Sequence, residues 1–294
     1  MKIVITGSLG NISKPLSQEL IKNGHAITII SSNAEKKATI ERLGATAAIG
    51  SLDNPGFLKA SFAGADAVYC MVPPNYAQTD QIAYYKSLGE NYKNAILETG
   101  VRRVVYLSSY GAHLSSGTGF IAGAYHVEQI LNTIPGICLT YLRPTYFYYN
   151  LLSFIPMIQS AGFIGAVYGD TDRLPLVSSK DIAAAAAEEL LATGNVSHVR
   201  YVCSDERDCN EIAAVIGNAI GRPDLKWITL SKEVVLNNLA ISGLSDEYAA
   251  KLVELGEAIH NGKLHEDYAL HIPAPGKVKL EEYAGDFSEA FHAK

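Results

Sequence analysis

Residues Thr6-Gly7-Ser8-Leu9-Gly10-Asn11-Ile12-Ser13 form a glycine-punctuated turn between an apolar run, Ile3-Val4-Ile5, and a helical stripe of Ile12, Leu16 and Leu20. Glycine at 7 lets the chain leave a strand sharply. Glycine at 10 lets an anion approach the backbone amides at the amino end of the next helix, where partial positive charge collects. That is the chemistry of a diphosphate cradle, and a dinucleotide would lie across it. Ser13 stands where such turns often carry a third glycine for close packing of helix on strand, and a single hydroxymethyl group can be accommodated there.

The choice of dinucleotide rests on the end of the second strand. A carboxylate about 20 residues beyond the turn would clamp a ribose diol and repel a 2′-phosphate. Here the strand ends in Ser31-Ser32-Asn33, with Lys36 and Lys37 one turn further on. Hydroxyl, amide and ammonium donors at Ser32, Asn33 and Lys36 suit a phosphate better, so NADP(H) is expected over NAD(H). Asn33 taken alone is also an ordinary helix N-cap.

The elements that must hold these residues follow from periodicity. Strands are expected at Ile3–Ile5, 26–30, 45–49, 66–72 and 103–108, alternating with helices at 35–43, 55–62 and about 77–99. Strand and helix alternating at this spacing require parallel strands with helical crossovers. The expected fold class is α/β, a doubly wound parallel Rossmann sheet with a smaller, mostly helical C-terminal substrate lobe. Ser108, Ser109 and Tyr110 would then close a strand at its carboxyl end, where open α/β sheets place ligands. Beyond residue 110 the rhythm loosens into a Gly/Ser-rich loop at 114–123, a helix at 125–131 and a strand at 138–142. An alanine-rich helix follows at 182–191, with Asp181 as its N-cap, and then a strand at 199–203. The expected division is 1–145 with 178–204 as the dinucleotide-binding domain, and 146–177 with 205–294 as the lobe.

Composition excludes several classes. The chain has 294 residues, 48% hydrophobic, with 24 Lys+Arg against 30 Asp+Glu and a formal charge of −6, enough apolar material for a large core and a poor generic ligand for nucleic acid. No apolar stretch approaches the roughly 18 to 20 residues of a membrane span, and a soluble, cytoplasmic protein is expected. Cys70, Cys138, Cys203 and Cys209 lack the spacing of a zinc site or a disulfide framework, so no metal is expected.

The glycine turn, Gly64-Ala65-Asp66-Ala67-Val68 leading to Val72-Pro73-Pro74, and the run Gly100-Val101-Arg102-Arg103-Val104-Val105-Tyr106-Leu107-Ser108-Ser109-Tyr110-Gly111-Ala112 together resemble the NmrA-like proteins. That family is a branch of atypical short-chain dehydrogenases/reductases. Leu142-Arg143-Pro144 with Phe147 and Asn150, Asp181-Ile182-Ala183, and the ending from Leu280 to Phe291 extend the resemblance over nearly the whole chain. It implies binding of NADP(H) or NAD(H), with Thr6, Gly7, Ser8, Gly10, Asn11 and Ile12 around the pyrophosphate, Ser32 and Asn33 at the adenosine end and Met71, Val72, Pro73 and Pro74 on the ribose-nicotinamide side. Ser32 stands where NADP-binding relatives often have arginine. Some members of the family reduce quinones, dyes or related acceptors; others are catalytically silent regulators that sense the nucleotide.

The usual short-chain dehydrogenase machinery is a serine, a tyrosine and a lysine four residues after the tyrosine. Here the tyrosine would be Tyr125, and residue 129 is glutamine. A neutral amide cannot do the lysine's electrostatic work, which argues against alcohol oxidation or sugar-nucleotide epimerisation, where a base must take a hydroxyl proton. Reduction of a quinone-like or other unsaturated acceptor demands mainly position, because water can protonate the product oxygens. Tyr110, His113, Tyr146, Phe147 and Tyr148, with Tyr149 and Phe154, could form an aromatic acceptor pocket, or could be core residues. Tyr110, Tyr125 and His126 are the candidate catalytic side chains, His126 as a proton donor near neutral pH. The expectation is an NAD(P)H-dependent reductase acting on a small-molecule acceptor. The rival is a non-catalytic NADP(H) sensor with a protein partner, and a third reading is an epimerase/dehydratase-like enzyme.

Overall fold

Runs of β-branched and aromatic residues form the strands of this protein, and apolar stripes at three- and four-residue spacing form the helices between them. The computed structural model describes residues 1–75 and 78–293. In chain order the first half contains β1 (Lys2–Ile5), α1 (Ser13–Lys22), β2 (Ala26–Ser31), α2 (Lys37–Arg42), β3 (Thr46–Ile49), α3 (Pro55–Phe62), β4 (Ala67–Cys70), α4 (Gln81–Thr99), β5 (Arg103–Leu107), α5 (Ile121–Leu131) and β6 (Cys138–Pro144). There follow β7 (Tyr146–Phe147), α6 (Ile155–Ala161), β8 (Ile164–Ala166), β9 (Arg173–Val177), α7 (Ser179–Leu191), β10 (His198–Val202), β11 (Asp205–Asp208), α8 (Cys209–Ala219), β12 (Trp227–Thr229), α9 (Lys232–Ile241), α10 (Asp246–His260), α11 (His265–Ala269) and α12 (Leu280–His292). None of these helices is long and apolar enough to cross a membrane.

Two compact units result: Met1–Ala112 with Gly123–Arg143 and Ile182–Arg200, and His113–Ala122 with Pro144–Asp181 and Tyr201–Lys294. The loop 113–122, assigned from sequence to the first unit, groups with the second.

The first unit is organised by a seven-stranded sheet in the order β10-β6-β5-β4-β1-β2-β3, with parallel registers such as Val4↔Thr28, Val4↔Val68 and Val68↔Val104. The chain runs outward from β1 through β2 to β3, then returns to β4 on the other side of β1. That reversal leaves a crevice beyond the carboxyl ends of β1 and β4, the position where open α/β sheets bind ligands. Val4, Val68, Val104, Leu58, Phe62 and Tyr92 belong to one buried cluster, in which Phe62 and Tyr92 stack at 6.4 Å. Helix α4 starts at Gln81, where the Asp80 carboxylate accepts the Ala83 N–H at 2.9 Å, and ends at Gly100 in the left-handed region, φ 71°. Its expected start at Ala77 lies outside the described residues.

Helix α5 begins four residues before the expected Tyr125. Gly123, which reads as loop, is there for close approach: a Cβ on it would fall 2.5 Å from the Tyr85 ring of α4.

The second unit holds two small sheets, β11-β9-β7 and β12-β8, which the expectation of a mostly helical lobe did not include. Trp227 is fully buried; its ring lies 5.0 Å from Phe154 and 5.6 Å from Tyr168, and its Nε1–H donates to the Tyr168 carbonyl at 2.9 Å. Asp181 does not cap α7. The helix starts two residues earlier, with Ser178 Oγ accepting the Lys180 N–H at 3.2 Å. The Asp181 carboxylate instead accepts the Ser204 hydroxyl at 2.6 Å and the Lys277 and Val278 amides at 3.1 Å each, strapping the segment before α12 to this unit.

Candidate functional site: a diphosphate cradle and a buried serine

The turn after β1 is held from below. Thr6 is fully buried; its Oγ1 accepts the Met71 N–H at 3.0 Å, and the Tyr92 hydroxyl donates to the Met71 carbonyl at 2.6 Å. Burial raises the Tyr92 phenol well above its ordinary range, so this hydroxyl stays a donor. The ends of β1 and β4 are thereby fixed beside each other. Gly7 has φ 87°, and a Cβ there would lie 2.6 Å from Ser13 Oγ and 3.3 Å from Met71 Sδ. Ser13 Oγ donates to the Thr6 carbonyl at 2.8 Å. The serine in the place of a third glycine therefore ties helix to strand rather than holding them apart.

Some amides of the turn are committed to the protein. Ser8 N–H donates to the Ile30 carbonyl at 3.0 Å and Gly10 N–H to the Gly7 carbonyl at 3.1 Å. Among the described residues, no backbone carbonyl takes the N–H of Leu9, Asn11 or Ile12. The first turn of α1 carries no acidic side chain, so the positive end of the helix is uncompensated. Exposed Gly10 and Asn11 leave room above these donors. Unpaired amides, a bare helix terminus and no side chain at position 10 fit the two phosphates of a dinucleotide.

At the end of β2 it is the buried Ser31, not Ser32, that faces the turn: Ser8 Oγ donates to Ser31 Oγ at 2.9 Å. Ser32 and Lys36 are exposed. Asn33 Oδ1 caps the following turn by accepting the Glu35 N–H at 2.8 Å, and its amide N–H groups remain as donors on the rim. Ser32, Asn33 and Lys36 thus present donors on one edge.

At the opposite side of the crevice, Met71 is half-buried, Val72 is buried, Pro73 is half-buried and Pro74 is exposed. Beyond β5, Ser108 N–H donates to the Leu142 carbonyl at 2.8 Å, and Ser108 Oγ lies 2.5 Å from Glu128 Oε1. Arg143 clamps the same carboxylate, Nε to Oε1 at 3.0 Å and an Nη to Oε2 at 2.7 Å. Tyr141 OH donates to the Glu128 carbonyl at 2.8 Å. Glu128 was not singled out from sequence, although an arginine inside the apolar strand Cys138–Pro144 signals a carboxylate partner. Ser109 is half-buried, with its Oγ donating to the Tyr110 carbonyl at 3.1 Å; Tyr110 is buried.

The remaining candidates lie on α5 in the first unit and in the second unit. Tyr125 and His126 meet edge to face at 5.3 Å. His126 and Gln129 line an open groove between α4 and α5 with Lys86, Ser87, Glu90 and Thr133. At about 100° per residue, His126 and Glu128 project from nearly opposite sides of α5, so the helix does not bring His126 toward Ser108. Burial, and then the Lys86 ammonium, lower the His126 pKa, which favours neutral imidazole at pH 7. In the second unit, His113 is half-buried, and Tyr146 accepts the Tyr168 hydroxyl at 3.2 Å with its own phenol pushed up to about 12 by burial. The Phe147 ring lies 5.0 Å from that of Tyr149. Tyr148 is core: it stacks on Tyr283 at 5.0 Å and donates to the Val278 carbonyl at 3.2 Å.

The model of the NmrA-like family matches residues 1–283. The chain belongs to that family. Among curated proteins it is 27% identical over 222 residues to a (4-alkanoyl-5-oxo-2,5-dihydrofuran-3-yl)methyl phosphate reductase of Streptomyces griseus, covering 75% of this chain and 74% of that one. Among solved structures it is similar to the triphenylmethane reductase of a Citrobacter species, with a TM-score of 0.82 and 22% identity, covering 98% of this chain and 100% of that one. It is also similar to an NADPH-dependent quinone oxidoreductase of Escherichia coli complexed with NADPH, with a TM-score of 0.82 and 22% identity, covering 97% and 99%. The structural likenesses fix the fold of this NmrA-like chain as that of Rossmann-type proteins.

Proposed function

We propose that this NmrA-like chain is an NADPH-dependent reductase of a quinone-like or otherwise conjugated acceptor, working without a tyrosine–lysine proton relay. The observation that carries the reading is the cradle itself: unpaired amides at Leu9, Asn11 and Ile12 over an uncompensated helix terminus. The donors at Ser32, Asn33 and Lys36 support the phosphorylated coenzyme. A bound reduced nicotinamide supplies hydride.

What remains for the protein is to hold and orient, and the turn is built for it. Thr6, Met71 and Tyr92 lock the strand ends, and Gly7 and Gly10 keep the phosphate side bare. No ammonium stands four residues after Tyr125; Gln129 is exposed in the groove beside α4. The acceptor class follows from that gap, since a conjugated carbonyl system takes hydride and is then protonated by water. The relatives named for quinones and for an oxo-dihydrofuran act on acceptors of this kind.

The test is anaerobic NADPH oxidation with a panel of benzoquinones and naphthoquinones. Turnover is expected with at least one acceptor, and Tyr125→Phe is expected to stay within about twofold of it, where loss of a true general acid–base would cost roughly 100- to 10,000-fold. Saturable NADPH binding without turnover on any acceptor contradicts the reductase reading and favours a nucleotide sensor.

A further inference from the structure

Ser108 follows the last residue of β5, and the register Cys70↔Tyr106 places it beside Val72 at the carboxyl edge of the sheet. Along that edge the order is Ser31 and Ser32 at the end of β2, Thr6 to Gly10 after β1, Met71 and Val72 after β4, and Ser108 after β5. The first and last lie three strand spacings apart, about 14 Å. A dinucleotide with its adenosine at β2 and its diphosphate over β1 brings its pyridine end to β4 and β5.

The Ser108 hydroxyl has one proton, and its neighbours decide where that proton points. Arg143 delivers one N–H to each oxygen of Glu128, so the carboxylate is an acceptor at both, and Ser108 must donate to Oε1. Ser108, Glu128 and Arg143 are 6%, 3% and 7% exposed, so the buried carboxylate outcompetes solvent for that proton. A serine held this way cannot polarise an acceptor carbonyl, because it has no proton left to offer. It can only receive one.

We propose that the Glu128–Arg143 pair locks Ser108 as a hydrogen-bond acceptor, and that the donor it receives is the carboxamide N–H of the bound nicotinamide. The inference rests on the coenzyme reading above. Glu128 and Arg143 are positioning residues, and Ser108 is the group that touches the coenzyme. The pair would thereby select the ring rotamer in which the carboxamide nitrogen faces β5.

Calorimetric titration of the whole protein with NADP⁺ and two analogues separates the claims without turnover. The thionicotinamide analogue keeps the amide N–H, and the 3-acetylpyridine analogue replaces it with a methyl group. Wild type is expected to bind NADP⁺ and the thionicotinamide analogue alike and the acetylpyridine analogue about fivefold more weakly, the worth of one net hydrogen bond. Ser108→Ala is expected to erase that ratio and Ser108→Thr to restore it; Glu128→Gln, which no longer compels the serine to donate inward, is expected to shrink it. Equal binding of all three ligands by wild type, or an undiminished ratio in Ser108→Ala, overturns the proposal while leaving the coenzyme reading in place. Absence of binding by NADP⁺ itself overturns both.

Discussion

Valine at position 10 is expected to abolish coenzyme binding and leave the fold standing. Gly10 is exposed and, unlike Gly7, does not lie in the left-handed region, so the backbone accepts a side chain. The added Cβ would sit 3.0 Å from the Gly7 carbonyl, a shift of a few tenths of an ångström for the turn. The methyl groups beyond it would occupy the space over Asn11 and Ile12 that phosphate oxygens must enter to reach the amides. Hydrogen bonds to a charged group contribute about 1.5–3 kcal/mol each, so losing two of them raises Kd by roughly 100-fold or more. Calorimetry with NADPH and a thermal melt of the same Gly10→Val sample check both halves: binding gone, Tm within a few degrees of wild type. Gly10→Val binding NADPH as tightly as wild type would move the diphosphate away from this turn.

Arg143→Met carries the largest expected loss of stability. It leaves the Glu128 carboxylate 3% exposed with, among the described residues, only the Ser108 hydroxyl to meet its side chain. Removing one partner of a buried ion pair costs about 3–5 kcal/mol, because the other charge stays behind without its counterion. For a domain of this size that corresponds to a fall in Tm of roughly 10 °C. The double variant Glu128→Leu/Arg143→Met removes both charges and is expected to recover most of the loss, since an apolar pair of similar volume is often as stable as the ion pair it replaces. Denaturant unfolding of the two variants beside wild type measures it. A single variant as stable as wild type, or a double variant worse than the single, would show that Arg143 does not neutralise Glu128.

The sheet was legible because its signals are local. Ile3-Val4-Ile5 against the stripe Ile12, Leu16, Leu20 shows a strand and a helix within twenty residues, and the glycine turn between them announces a ligand of phosphate type. What was not legible depends on distant partners. Asp181 reads as an N-cap until Lys277 and Val278 arrive from almost a hundred residues away and take its carboxylate. Gly123 reads as loop because its reason for being glycine is the Tyr85 ring on another helix. The two short sheets of the second unit escaped because strands such as Ile164–Ala166 and Trp227–Thr229 are too short to show alternation. In the candidate site, the hydroxyl that reaches the turn is Ser31, one residue before the Ser32 picked out by family pattern, since the alternation of a strand points them to opposite faces. Glu128 was hidden in plain sequence: only the pairing of β5 with β6 shows that Ser108 and Arg143 converge on it.

Parallel calorimetric titrations of the unliganded protein with NADPH and with NADH test the central claim most directly, because they ask for the cradle and nothing else. Saturable binding with a rise in Tm is predicted for NADPH, with NADH binding more weakly for want of the 2′-phosphate that Ser32, Asn33 and Lys36 would meet. No heat and no thermal shift with millimolar amounts of either coenzyme would contradict the account.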